Sequence, residues 1–305
     1  MKRIVIFLLM LFMSVNIYAK MSPIVDTDWV LAHLNDKDLI ILDIRANKQD
    51  FYKGHIPNAI YVNKSDIRID KEINGKLLEG YLPDKAYFQN LLRSYGINNN
   101  SKVVIYTIQY GIKNLKYATR LYWQFKLYGF QNVTLMEGGY LKWLKESKPI
   151  EKGDQRNVAE GDVILKDADN SMIATTEDVE KALKDKSYIL VDFRDFQSYL
   201  GSNKASYIPY PGHIPGAFVA PEELFCKKDG SFVDKTTALN TFHALNIDLD
   251  KKIIIYCNTG NHSTEGWMLI HELLGKKNIS MYDGSLIEWT NLNKMTKLYE
   301  VENFK

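Results

Sequence analysis

Lys252-Ile253-Ile254-Ile255-Tyr256-Cys257-Asn258-Thr259-Gly260-Asn261-His262-Ser263 is an apolar run that stops at a cysteine. A short polar loop with one glycine follows it, and the pattern predicts a helix from Thr264 to Leu274. The order strand, loop, helix places a thiol at the end of a buried strand, with backbone N–H groups and a helix N-terminus near it. That setting favours the thiolate, the reactive form of cysteine. The same strand occurs earlier without the cysteine, as Lys102-Val103-Val104-Ile105-Tyr106-Thr107.

Working outward, the echo extends across both halves at an offset near 150 residues. Ile40-Ile41-Leu42-Asp43-Ile44-Arg45 matches Ile189-Leu190-Val191-Asp192-Phe193-Arg194. Gly54-His55-Ile56-Pro57 matches Gly212-His213-Ile214-Pro215. Gly80, Asp84, Lys85 and Ile97 match Gly230, Asp234, Lys235 and Ile247. Gly138 and Trp143 match Gly284 and Trp289. A period this long is a duplicated domain. Each copy reads as strands, apolar along their whole length, alternating with helices that open on Asp26-Thr27-Asp28, Thr175-Thr176-Glu177-Asp178, Asp84 or Asp234. Such strands belong to a mainly parallel sheet covered on both faces. The fold class is α/β, with two tandem domains. Their expected limits are 20–147 and 169–305, joined by a polar linker at 148–168.

Residues 1–19 differ from the rest. Lys2 and Arg3 precede an apolar run from Ile4 to Ile17, and Tyr18-Ala19 closes it. This is the pattern of a secretory signal peptide cut after Ala19. The run is short for a membrane span of about 20 residues. The mature protein is therefore expected in the periplasm or outside the cell, without a membrane anchor. Removing the leader leaves 37 basic and 37 acidic residues. That balance gives no reason to expect nucleic acid or an anionic membrane as partner. Two cysteines are too few for a disulfide framework, and Cys226 is expected to be an inert packed residue. The histidines show no ligand spacing, and no metal or cofactor is expected.

These features resemble the tandem rhodanese family of thiosulfate and 3-mercaptopyruvate sulfurtransferases. The resemblance is carried by the Asp-x-Arg strand ends, by Gly212-His213-Ile214-Pro215-Gly216-Ala217, by the Cys257 loop, and by Tyr282-Asp283-Gly284-Ser285-Leu286-Ile287-Glu288-Trp289. It implies two rhodanese-like domains, with the active cysteine in the second. It also implies ping-pong sulfur transfer from a small-molecule donor, through a Cys257 persulfide, to cyanide, a thiol or an exported acceptor protein. Asn258, Thr259, Gly260, Asn261, His262 and Ser263 would cradle the persulfide, as an anion-binding nest does. Thr259 is placed to offer its hydroxyl to the sulfur, and His262 to offer charge. In mercaptopyruvate-type members a hydroxyl two residues past the cysteine works with a histidine of the first domain, so Thr259 and His55 are the corresponding pair. Asp192 and Arg194 are supporting candidates. Their twins Asp43 and Arg45, in the copy without cysteine, favour a structural role.

The chain departs from the family pattern at three cationic positions, which hold Asn258, Ser198 and Pro211. Two other readings compete. A cysteine phosphatase needs Cys-x5-Arg, and the sixth residue past Cys257 is Ser263. A persulfide carrier with little turnover of its own fits the missing cations.

Overall fold

The computed structural model describes residues 21–108 and 114–297. The leader lies outside the described residues, as do Gln109, Tyr110 and Gly111 of the first copy's equivalent loop. In the first half, strands β1 (Ile24–Val25), β2 (Leu39–Arg45) and β3 (Ile60–Asn63) alternate with helices α1 (Thr27–His33) and α2 (Lys48–Lys53). A hairpin follows, made of β4 (Ile69–Ile73) and β5 (Lys76–Tyr81). Then come α3 (Lys85–Ser94), β6 (Lys102–Thr107), α4 (Leu115–Leu127), β7 (Val133–Met136) and α5 (Gly139–Lys145).

The second half runs β8 (Ile173–Ala174), α6 (Thr176–Ala182), β9 (Tyr188–Asp192), α7 (Phe196–Leu200) and β10 (Phe218–Val219). It continues with α8 (Lys235–Ala244), β11 (Lys252–Tyr256), α9 (His262–Trp267), β12 (Ile279–Tyr282) and α10 (Ser285–Asn291). The helix expected from Thr264 begins two residues earlier, at His262, and passes into a π-helical stretch at Met268–Leu273.

Each half holds a five-stranded sheet. The orders are β1-β7-β6-β2-β3 and β10-β9-β11-β12-β8, the same arrangement read from opposite edges. Every pairing in both is parallel. The helix openings fall where short acceptor side chains sit. Asp26 accepts from Trp29 N at 2.7 Å and Asp84 from Tyr87 N at 2.8 Å, while Thr175 and Asp178 form a reciprocal capping box.

Central strands are buried on both faces, and alternate residues serve two cores. Ile40, Leu42 and Ile44 enter one cluster, and Leu39 and Ile41 another. The first of these clusters is continuous with Ile189, Val191, Phe193 and Ile253 of the second half, through Leu121, Tyr122 and Phe125 of α4. The two repeats thus share an apolar core. The linker is not a loose tether. It hydrogen-bonds along the first half (Gly161 N to Arg93 O, Lys166 N to Tyr128 O) and buries Val163 and Leu165.

The β4–β5 hairpin has no counterpart among the second half's strands. It reaches across to the other repeat. Leu78 and Tyr81 are buried among Tyr282, Leu286, Ile287 and Trp289. Leu82 N donates to Asp283 Oδ2 at 2.8 Å, and Lys76 Nζ to Asn291 Oδ1 at 3.2 Å.

Candidate active site

Cys257 follows directly on β11, and its loop is held from below by Ser285. The Ser285 hydroxyl accepts from Cys257 N at 3.3 Å and from Gly260 N at 3.1 Å, and donates to Tyr282 O at 2.8 Å. Leu286 N and Ile287 N then donate to the carbonyls of Cys257 and Asn258. The start of α10 is therefore the floor of the cysteine loop. Ser285 takes a left-handed backbone, with φ 51°. Its twin in the first repeat is Gly139, with φ 57°. The second repeat keeps a strained conformation where the loop needs a hydroxyl. Sequence reading used Tyr282-Asp283-Gly284-Ser285 only as a family signature and missed this brace.

Gly260 turns the loop with φ +71°. A Cβ there would lie 2.7 Å from Asp283 Oδ1 and 2.9 Å from Arg120 Nη1, so only glycine fits. Arg120, on α4 of the first repeat, is fully buried. It donates to Gly260 O at 2.9 Å and pairs with Asp283.

The hydroxyl on the sulfur belongs to Ser263, whose Oγ lies 3.6 Å from Cys257 Sγ. This corrects the expectation for Thr259, which instead accepts at its carbonyl from Arg68. His55 is likewise placed elsewhere. Its ring stacks on Phe51 at 3.8 Å and its Nδ1 pairs with Phe51 O at 3.0 Å, within its own repeat. His213 does the same with Tyr199, stacking at 3.8 Å and pairing with Tyr199 O at 2.9 Å. Both histidines fix their Gly-His-Ile-Pro loops, which takes His55 out of any relay to the thiol.

Asp192 and Arg194 form a buried pair (Nη2 to Oδ2, 2.6 Å), and Arg194 also donates to Gly212 O at 2.8 Å. Asp43, Arg45 and Gly54 O repeat this arrangement at 2.6 and 3.1 Å. The shared role is to tie the strand end to the glycine of the next loop. One contact separates the copies. Arg194 Nη1 reaches Asn258 Oδ1 at 3.2 Å, whereas Arg45 Nη1 turns to Asp50 O. Asp192 compensates Arg194 in full, so this arginine steadies the loop and brings no net charge to it.

His262 receives Lys116 Nζ at Nε2, 2.8 Å away, and faces Glu222 with Nδ1. An ammonium group only donates, so Nε2 accepts and Nδ1 carries the ring proton toward the carboxylate. Burial and Lys116 pull the imidazole pKa down to about 3. The ring is neutral near pH 7 and does not supply the charge expected of it. Glu265 lies beside it, wholly buried, and burial pushes its carboxyl pKa well up. Glu222, His262 and Glu265 bring one ligand atom each within 4.8 Å of one another, a grouping their spacing did not reveal. Lys116 already serves as the cation of that cluster.

Two features depart from an open, cation-poor site in the second repeat. Cys257 is only 1% exposed, so the sulfur lies at the floor of its loop and not at an open mouth. The first repeat packs against this region: α4 lies on α9, where the Thr119 and Thr264 hydroxyls meet at 2.8 Å, and Arg68 lies on the loop at Thr259. The cations likewise come from the first repeat, as Arg68, Lys116 and Arg120. Ser198, at one of the family's cationic positions, instead bonds Asp195 in the opening turn of α7. Both cysteines are free. Burial pushes the Cys226 thiol well up, which keeps it protonated and inert.

The family profile for the rhodanese-like domain matches residues 26–146 and again 175–292. A putative thiosulfate sulfurtransferase of Haloferax volcanii is 33% identical over 290 residues, covering 92% of this chain and 97% of that protein. The sulfur carrier protein TtuD of Thermus thermophilus is 31% identical over 286 residues, covering 90% and 96%. Among solved structures, SseA of Escherichia coli, a 3-mercaptopyruvate sulfurtransferase, superposes with a TM-score of 0.72 at 22% identity, covering 87% of this chain and 99% of that one. At that identity the likeness speaks for the fold.

Proposed function

This chain belongs to the rhodanese-like family as a tandem pair of its domains, and from that premise we propose that it transfers sulfane sulfur through a persulfide on Cys257. The Cys257 thiolate attacks the outer sulfur of an anionic donor such as thiosulfate. The donor's S–S bond breaks, and sulfite leaves with the electron pair. In the second half-reaction a nucleophile, cyanide or a thiolate, attacks the outer sulfur. The S–S electron pair then returns to Cys257, regenerating the thiolate.

The single observation that carries the reading is the braced loop. Cys257, at a strand end, is the only cysteine in it, and two of its amides are fixed on Ser285. The remaining amides, from Asn258 through Ser263, are available to a terminal sulfur that carries negative charge. The Ser263 hydroxyl supports the inner sulfur. Asn258 is held by Arg194 and by the phenol of Tyr207, which is 53% exposed at the rim. With Cys257 covered, entry of a donor requires rim side chains such as Tyr207 to turn aside.

The test is thiosulfate-dependent thiocyanate formation by the wild type and by C257S. Turnover is expected in the first and none in the second, with unchanged thermal melting. Undiminished turnover in C257S would refute the proposal. The buried sulfur favours a second reading, a persulfide carrier that takes up one equivalent and waits for a protein acceptor. Stalling after one equivalent, with cyanide in excess, would select that reading. The leader-like residues 1–19 lead us to propose an exported protein. An N-terminus at Lys20 on the mature chain would support that.

A further inference from the structure

Arg68 follows β3 in the first repeat, at the foot of the β4–β5 hairpin. Its Nε donates to Gly80 O at 2.7 Å and its Nη2 to Thr259 O, the carbonyl two residues past Cys257. Gly80 makes room for it. That glycine sits at φ +95°, and any Cβ there would run into the Arg68 guanidinium. Both acceptors are neutral carbonyls, and Arg68 forms no ion pair among the described residues.

The other cations of the site each have a partner. Arg120 and Arg68 share the field of one carboxylate, Asp283, and Arg120 holds that carboxylate directly. Arg194 is matched by Asp192, and Lys116 by Glu222 through the neutral His262. Arg68 has no carboxylate of its own, and it touches the cysteine loop at Thr259 O. A partly buried, unpaired guanidinium is costly unless an anion comes to it. Burial and Arg120 pull its pKa down to about 10, and a charge on Cys257 acts in the opposite direction, so the two groups sense each other. Its Nη1 makes no hydrogen bond among the described residues, which leaves a donor free for a ligand.

We infer that Arg68, supplied by the repeat that lacks the cysteine, is the anion-recognising residue of the Cys257 site and selects donors with a negative group next to the transferable sulfur. This rests on Cys257 being the reacting group of the proposed function. It gives the first repeat a direct part in substrate choice, in place of cations absent from the second repeat at Asn258, Ser198 and Pro211.

The experiment compares alkylation of Cys257 by iodoacetate, which is anionic, and by iodoacetamide, which is neutral and similar in size. The readout is mass spectrometry of the Cys257 peptide. The ratio of the two rates reports the local charge and cancels changes in thiol reactivity common to both. In R68Q the ratio falls about ten-fold, the scale of one charge a few ångströms away, and R68K recovers most of it. G80A crowds the guanidinium out of its seat without removing it, and lowers the ratio too, so either variant carries the test if the other does not fold. An unchanged ratio would make Arg68 a brace of the loop and overturn the inference, as would a wild-type Cys257 that neither reagent reaches. Alkylation needs no sulfur transfer, so this outcome is separable from the fate of the proposed activity.

Discussion

Ser285 shows how much one side chain decides at the residue scale. Its hydroxyl satisfies two amides of the cysteine loop, and its backbone holds a conformation that glycine would adopt more easily. S285G therefore separates the two effects. It relieves the left-handed strain and removes the brace, and we expect it to lose sulfur transfer despite the easier backbone. Leaving two buried amides unpaired costs about 1–3 kcal/mol each, which loosens the loop. The check is turnover together with hydrogen exchange at Cys257 and Gly260; wild-type values for both would show that Ser285 is no brace. Cys257, its loop and the Asp-x-Arg ends were legible because they lie within one stretch of chain and recur in the other repeat. Ser285 was visible as a residue, but its role was not, since the hydroxyl acts 28 positions away from the cysteine.

Two contacts between repeats matter at the scale of elements. The first is the β4–β5 hairpin, which carries Leu78 and Tyr81 into the second repeat's core and positions Arg68 at its foot. L78A should lower stability by about 2–4 kcal/mol, from lost burial and the cavity left behind. It should also reduce thiosulfate turnover, because the hairpin seats the guanidinium. Chemical denaturation and steady-state kinetics would show whether both losses occur. The second is the packing of α4 on α9, where Lys116 meets His262. His262 has a folded pKa of about 3 against 6.5 for the free side chain. Between those values the unfolded chain binds the extra proton, so stability is full above about pH 6.5 and falls as the pH drops toward 3. H262N should flatten that part of the acid melting profile. An identical slope in the variant would mean that another group sets it. Neither contact could be read from the sequence. In the hairpin strands only Gly80 has a repeat twin, Gly230, and the Lys116–His262 pair spans 146 positions.

The whole molecule is two copies of one α/β unit that have divided the work. The second holds the cysteine, the serine brace and the loop. The first has Thr107 and Gly139 at the twin positions, and contributes Arg68, Lys116 and Arg120 across the shared core. The doubling and the parallel sheets were plain in the sequence, since apolar strands and glycine turns repeat at a fixed offset. The division of labour was not, because charge that seemed missing from one repeat is supplied by the other only once the chain is folded. It follows that T107C adds no second reactive site, as Gly139 has no hydroxyl to brace a loop there. Thiosulfate-derived sulfur on the thiol introduced in that variant would count against this division. The most direct measurement is mass spectrometry of the purified protein after incubation with thiosulfate and removal of the excess. The predicted result is a gain of one sulfur atom mapped to the peptide containing Cys257. No gain, or a gain at Cys226, would contradict the proposed persulfide chemistry.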